Sequence, residues 1–296
     1  MLDYSSLSAL AAVVREGSFE RAARAMHVTP SAVSQRIRLL EERMGCALVV
    51  RGQPCQATDT GRRLCQHMDR VRLLEQELQG SLPTLAPEGV TRVALPIAVN
   101  ADSLATWLAP ALSAFAAEAP VLMDVAVDNE DHTTGWLRSG AVLAAVTASA
   151  RPATGCNSRP LGAMRYLAVA SPTYKARYFP DGVTAGRLAE APSLVFNPQD
   201  DLQARWVRRL CHRHVELPKH SLPSTQAFIT AGLAGMGWGL HPETLIAQHL
   251  QRGELLELVP QTPLDVPLYW QETRAASALL DGLSRAVVQA ARGSLI

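Results

Sequence analysis

Between Thr29 and Arg43 the chain reads TPSAVSQRIRLLEER, a spacing that divides one helix into two faces. Val33, Ile37 and Leu40 recur at i, i+4 and i+7, so they share a face that belongs in a core. Ser31, Ser34, Gln35 and Arg38 fall on the opposite side, with Arg36 on the flank. Hydroxyls, an amide and guanidinium groups are the side chains that hydrogen-bond base edges and phosphates. No carboxylate interrupts this face before Glu41 and Glu42. Thr29 is suited to cap the helix, and Pro30 takes the first helical position, where its missing N–H does no harm. The face suits a helix pressed into a DNA major groove; the bland alternative is an amphipathic helix that lacks early acids.

Other chemistry is sparse. The five cysteines, at 46, 55, 65, 156 and 211, form no CxxC pair, so neither a zinc site nor a disulfide framework is indicated. The histidines are scattered; His27 reads as a turn residue and His212 with His214 as a solvated helix end. No GxSxG, HExxH, Walker or GxGxxG spacing occurs, so no enzyme is expected. The net charge of +1 does not announce a nucleic-acid protein. Residues 1–66 nevertheless carry nine arginines against six acids. The start, MLDYSS, has no basic-flanked apolar core, and no apolar run approaches the roughly 18 residues that span a bilayer. A cytoplasmic protein without membrane contact, and not a secreted solute-binding protein, is the expectation.

The elements around Thr29–Arg43 must position it. Tyr4 to Arg15 reads as a helix with Leu7, Leu10 and Val14 on one face; Gly17 ends it and Ser18 caps a short Ala-rich helix from Phe19 to Met26. Helix, short helix, tight turn and polar-faced helix is the helix-turn-helix order. Leu48 to Val50 suggests a strand, and Arg51 to Ala57 a wing with Arg51 as its one basic residue. A long helix starts at Thr58 or Thr60 and runs to about Gln79; Leu64, Met68, Val71, Leu74 and Leu78 fit either a core helix or one that pairs with its own copy. GSLPTLAPEG, at 80–89, is a break in the chain. Beyond it apolar runs alternate with helical stretches, the pattern of an α/β domain with a mostly parallel sheet.

The run GSFERAARAMHVTPSAVSQRIRLLEERMGCALVVR resembles the N-terminal winged helix-turn-helix of LysR-type transcriptional regulators, with SAVSQRIRLLEERMG its most diagnostic part. The resemblance implies that Ser31, Ser34, Gln35, Arg36 and Arg38, with Thr29 at the helix start, meet double-stranded DNA. The family wing usually carries more than one basic residue, so here Arg51 is left as the phosphate or minor-groove anchor. It also implies that the linker helix makes a homodimer, with a dimer of dimers and RNA polymerase as further partners. The expected fold is an N-terminal all-α winged helix-turn-helix with a long linker helix, then an α/β two-lobed, periplasmic-binding-protein-like effector domain. Domain bounds are 1–60, 61–89 and 90–296, with lobe I at 90–163 and 266–296 and lobe II at 164–265.

VNADSLATW at 99–107, LGAMRYLAVASP at 161–172, RYFPDGVT at 177–184 and LYW at 268–270 resemble the arginine- and lysine-sensing ArgP/LysG (IciA) branch. That implies a basic amino acid as effector, no cofactor and no metal, and control of amino-acid export or metabolism. A helix start at Asn100, Asp102 and Ser103 suits an α-carboxylate, and acids suit the cationic group. Asp128, Glu130, Thr147 and Ser149 follow other strand ends, and Ser224, Thr225 and Gln226 open a helix on the facing lobe. In the plainer reading Asp102 merely caps its helix and the acids at 128–131 are a solvated loop. A different small effector, or redox sensing through Cys156 and Cys211, are the competing expectations.

Overall fold

The computed structural model describes residues 2–81, 92–129, 133–274 and 278–296. Clustering of contacts divides the chain into two compact units, one taking in the chain up to Val93 and the other beginning at Ala94.

In the first unit, α1 (Tyr4–Glu16), α2 (Phe19–Ala25) and α3 (Pro30–Met44) are followed by β1 (Val49–Val50), β2 (Gln56–Ala57) and α4 (Asp59–Ser81). Each helix start carries its own cap: Asp3 accepts from Ser5 N, Ser18 from Arg21 N, and Thr29 from Ala32 N at 3.2 Å. Gly17 and Gly45 end α1 and α3 in the left-handed region at φ 65° and 70°. Leu7, Leu10, Val13, Ala22, Ala23, Val33, Ile37, Leu40, Leu48 and Met68 form one buried core. β1 and β2 pair antiparallel, Val49 opposite Ala57 and Val50 opposite Gln56, which forms the small wing expected after Leu48. The start of α4 lies directly on the wing: a Cβ on Gly61 would stand 2.0 Å from the Leu48 carbonyl oxygen. Only glycine permits that approach. The break expected at 80–89 falls largely on 82–91, outside the described residues.

The second unit begins within β3 (Val93–Val99), which a continuous helical stretch follows: α5 (Ala101–Ser103), a π-helical segment (Leu104–Leu108) and α6 (Ala109–Glu118). β4 (Val121–Val127), α7 (Thr133–Ser139) and β5 (Ala144–Thr147) complete lobe I up to β6 (Cys156–Ala170). Lobe II adds α8 (Pro172–Tyr178), α9 (Ala185–Glu190), β7 (Ser193–Val195), α10 (Leu202–Cys211), β8 (Lys219–Ser221), α11 (Thr225–Leu233), β9 (Gly239–Pro242), α12 (Glu243–Gln251) and β10 (Leu256–Glu257). β11 (Leu264–Thr273) then returns to lobe I, and α13 (Ala278–Arg292) follows.

The main sheet runs β10-β6-β11-β5-β3-β4, with β9 also on β6. It is mixed, which corrects the expectation of a mostly parallel sheet: β3 pairs parallel with β5, but β6 pairs antiparallel with β9, β10 and β11. The cause is two long strands that serve both lobes. β6 runs beside β11 from Cys156 to Tyr166, and its last residues, Tyr166 to Ala170, carry β9 and β10. Its first half does not read as a strand because Pro160, Leu161 and Gly162 interrupt it. The register slips there, Leu268 lying opposite Gly162 and Tyr269 opposite Pro160, with Gly162 at φ +124°. A bulge absorbs the proline that an uninterrupted ladder excludes. The short elements α8, α9 and β8 also carry too little periodicity to be read from the sequence.

Candidate functional site

The helix α3 has the two faces that its spacing predicts. Val33, Ile37 and Leu40 are at most 2% exposed. Ser31, Gln35 and Arg38 are exposed, Ser34 and Arg36 half-buried. Thr29 Oγ1 lies 3.0 Å from Ser31 Oγ, which ties the first hydroxyl of the face to the cap. The two late acids have separate duties. Glu41 Oε1 accepts from Leu48 N at 2.7 Å and bends back to hold the entry to the wing. Glu42 pairs with Arg38 at 2.9 Å on the open surface, where such a pair contributes little. Arg51 is exposed and its guanidinium stands 5.4 Å over the Phe19 ring, so the wing base is oriented by the start of α2. The wing is also tied down by Cys55 N donating to Gly17 O at 2.9 Å.

Along α4 the five expected pairing residues divide. Met68 is buried in the core of the unit, with Leu64 and Val71 packed against it. Leu74 and Leu78 are 55% and 51% exposed. The first half of the stripe is therefore core, and only the second half offers apolar surface to a partner.

The second unit encloses a cleft lined by Asn100, Asp102, Asp128, Asn129, Phe196, Asp200, Thr225, Phe228 and His241, among others. Asp102 lies in its wall and touches three parts of the fold. It opens α5 in lobe I, accepts from Tyr166 Oη of β6 at 2.9 Å, and accepts from Thr225 Oγ1 of α11 in lobe II at 3.2 Å. Burial pushes its carboxyl up to about 6; the two hydroxyl donors pull the other way, and the charge of Asp200 adds to the rise. Asp200, 5% exposed, is likewise raised by burial, although Phe196 N and Leu202 N donate to it at 2.8 and 3.1 Å. His241 is pushed down to about 3 by burial, so it is neutral at physiological pH. Neither the Asn100 side-chain amide nor His241 Nε2 finds a hydrogen-bond partner among the described residues. Buried polar atoms of that kind, in the wall of a cleft, point to a ligand.

Of the expected effector residues, Asn100, Asp102, Asp128 and Thr225 line this cleft together. Asp128 is braced by Asn129 N and Trp136 Nε1, each at 2.8 Å. The others are elsewhere. Ser103 is buried beneath the helix and Thr147 is buried at the end of β5, its hydroxyl accepting from Ser149 N at 3.1 Å. Ser149 shapes that loop by donating to Arg151 O, Ser224 caps α11, and Gln226 is exposed. Glu130 lies outside the described residues. Sequence reasoning missed Asp200, Phe196, Phe228 and His241. Asp200 stands in the run NPQDD between a strand and a helix, and that position was its one available signal. Cys156 is buried among Ala98, Leu137 and Val142, an apolar setting that disfavours a reactive thiolate, while Cys211 ends α10.

Fold and sites together define a helix-turn-helix DNA-binding protein that carries a two-lobed small-molecule domain. Residues 4–62 match the family model of the bacterial regulatory helix-turn-helix protein, lysR family, and residues 88–292 that of the LysR substrate binding domain. The chain therefore belongs to the LysR family; it is a transcriptional regulator and not an enzyme. It is 47% identical to the HTH-type transcriptional regulator ArgP of Pseudomonas fluorescens (strain Pf0-1), over 100% of this chain and 99% of that one. The crystal structure of ArgP from Mycobacterium tuberculosis is similar at a TM-score of 0.84 and 42% identity, covering 100% of this chain and 99% of that chain. Full-length LysG from Corynebacterium glutamicum with bound effector Arg is similar at a TM-score of 0.72 and 38% identity, covering 99% of each chain. No described helix is long and apolar enough to cross a membrane.

Proposed function

We propose that this regulator responds to a basic amino acid, arginine or lysine, bound between the lobes of the second unit. One observation carries the reading: three carboxylates, Asp102, Asp128 and Asp200, line one cleft, and no arginine or lysine stands among its described lining residues. The one basic side chain there, His241, is held neutral. Asp200 is buried and Asp102 and Asp128 are half-buried, and carboxylates gathered in one partly desolvated cleft favour a bound cation. The amide of Asn100 supplies both donor and acceptor to the rest of an amino acid. Asp102 joins the lobes through its bond to Thr225, so an effector that engages Asp102 replaces a contact between them. That differential contact is what lets a ligand shift a conformational equilibrium. The similar LysG structure with bound arginine supports the same class of ligand.

In this reading the protein acts in the cytoplasm as a homodimer, or a dimer of dimers, on DNA. Thr29, Ser31, Ser34, Gln35, Arg36 and Arg38 read the groove and Arg51 holds the backbone. Leu74 and Leu78 extend the apolar surface of α4 toward a second copy, and RNA polymerase is the partner at the promoter. The genes controlled are those of basic-amino-acid export or metabolism. The test is titration calorimetry with arginine, lysine and the neutral isostere citrulline, paired with footprints on the protein's own promoter region. Arginine or lysine should bind and alter the footprint while citrulline does neither. Equal binding of citrulline, or no binding by any of the three at millimolar concentration, overturns the proposal.

A further inference from the structure

The first unit carries an open groove of about 570 Å³ beside the wing. One wall is the wing from Pro54 to Ala57; the others come from the end of α1, the turn into α2 and the start of α4. Three arginines line it, Arg15 on α1, Arg21 on α2 and Arg62 on α4, and all three are exposed. The groove is held in shape by backbone contacts. Cys55 N donates to Gly17 O, and Pro54 stands so close that a Cβ on Gly17 would meet it at 2.8 Å. That same point lies 3.2 Å from a guanidinium nitrogen of Arg21, so Arg21 reaches the place where the α1–α2 turn meets the wing.

Charge in the groove is unbalanced. The one acid among its lining residues, Glu16, faces Arg15 at 3.4 Å, and Arg62 pairs with Asp59, also at 3.4 Å. Both arginines are more than half exposed, and ion pairs so open to water are weak and readily exchanged. Arg21 has no ion pair among the described residues. Guanidinium groups gathered around one opening favour an anion there.

The order of the elements says which anion. In a helix-turn-helix the first helix crosses the DNA backbone while the second enters the major groove. Here α2 is the first and carries Arg21, and α3 is the second. A strand of phosphates separates the two grooves of DNA, and the protein's groove lies between α2 and the wing. The wing itself has one basic residue, Arg51, which follows β1, whereas the groove runs along β2. We propose that this groove is a DNA-phosphate site, in which Arg15, Arg21 and Arg62 supply from other elements the cations that the wing lacks. The proposal rests on the reading that α3 enters the major groove. Guanidinium groups match phosphate with paired N–H donors, and such contacts fix register and add affinity without reading sequence.

The test follows binding of the full chain to its own promoter region and to random DNA by fluorescence anisotropy, between about 50 and 300 mM salt. Arg21→Gln, and a triple variant with Arg15→Gln and Arg62→Gln, change exposed side chains and leave the fold intact. Arg63→Gln, exposed on α4 but outside the groove, is the control for lost charge alone. Each phosphate contact adds about 0.9 to the slope of log K against log salt. Arg21→Gln should flatten that slope by about 0.9 for each bound protomer, and the triple variant by up to about 2.7, on both DNAs alike. Ethylation of particular phosphates should block wild type and spare the triple variant. A triple variant with the slope of Arg63→Gln overturns the site, as does a loss confined to the promoter sequence. Gln35→Ala tests α3 separately: if it keeps full sequence preference while the triple variant flattens the slope, the reading of α3 fails and the phosphate site stands.

Discussion

Replacing Asp102 by Asn should make this protein more stable and deaf to its effector. The carboxyl of Asp102 is pushed up to about 6 in the folded chain, against an ordinary value near 3.8. A raised carboxyl binds its proton more tightly when folded, so the stability linked to it is fully present below about pH 3.8 and lost as pH rises through about 6. At pH 7.5 the ionised Asp102 costs at most about 3 kcal/mol, taking roughly 1.4 kcal/mol per pH unit of displacement. Asparagine removes that charge and keeps an oxygen for Tyr166 or Thr225. The variant should gain about 1–3 kcal/mol at pH 7.5, which for a domain of this size raises Tm by roughly 2–10 °C. The advantage should vanish by about pH 4, where wild type is itself neutral at this position. Arginine binding should weaken at least about thirtyfold, the minimum for losing one partner of a buried charge pair. Differential scanning calorimetry from pH 4 to 8, with calorimetric titration of arginine, measures both. A variant less stable than wild type at pH 7.5, or a stability gap unchanged on acidification, would refute the assignment of the cleft's strain to this carboxylate.

Other outcomes follow from the same structure. In wild type, a cation beside Asp102 draws the carboxyl back down, so arginine binding at pH 6 should release protons and tighten as pH rises from 5 to 7; buffers of different ionisation enthalpy read this directly. On DNA, Gln35→Ala should cost about 1–3 kcal/mol on the cognate site and flatten sequence preference, whereas Arg51→Ala should weaken all sequences alike and lower the salt slope by about 1. Equal loss on cognate and random DNA by both variants would contradict this division. Gly61→Ala should destabilise the first unit by about 3 kcal/mol, seen in urea denaturation, because its Cβ would meet the Leu48 carbonyl at 2.0 Å. Leu74→Glu should dissociate dimers in sedimentation without unfolding the chain, while Met68→Glu, at 5% exposure, should unfold the first unit.

The third helix was almost fully legible in the chain, because its signals are local. Thr29 and Pro30 set its start, Gly45 its end, and the spacing of Val33, Ile37 and Leu40 fixed which side faced water. A helix has one period, so once the buried face is known the exposed polar face follows. The linker was half legible: its heptad-like stripe could not say that Met68 belongs to the core of its own chain while Leu74 lies open. The cleft was legible only at the ends of elements: Asn100, Asp102 and Asp128 follow strands, and Thr225 opens a helix. Thr147 and Ser149 occupy equally promising places in the sequence, yet they serve their own loop.

Asp200 and His241 entered the site only through tertiary structure. They lie some 100 and 140 residues beyond Asp102 in the chain, and what joins them is the return of two long strands, β6 and β11, between the lobes. The chemistry of the site is likewise a property of the assembled cleft. An aspartate near pKa 6 and a histidine near 3 arise from burial, which depends on neighbours from every lobe and strand and is not written at any one position. Sequence alone determined the helix Pro30–Met44 and its exposed polar face, since short-range hydrogen bonds and one hydrophobic period suffice for them. Only the folded chain decided which acids share a cleft, because their meeting depends on strand pairing across more than a hundred residues.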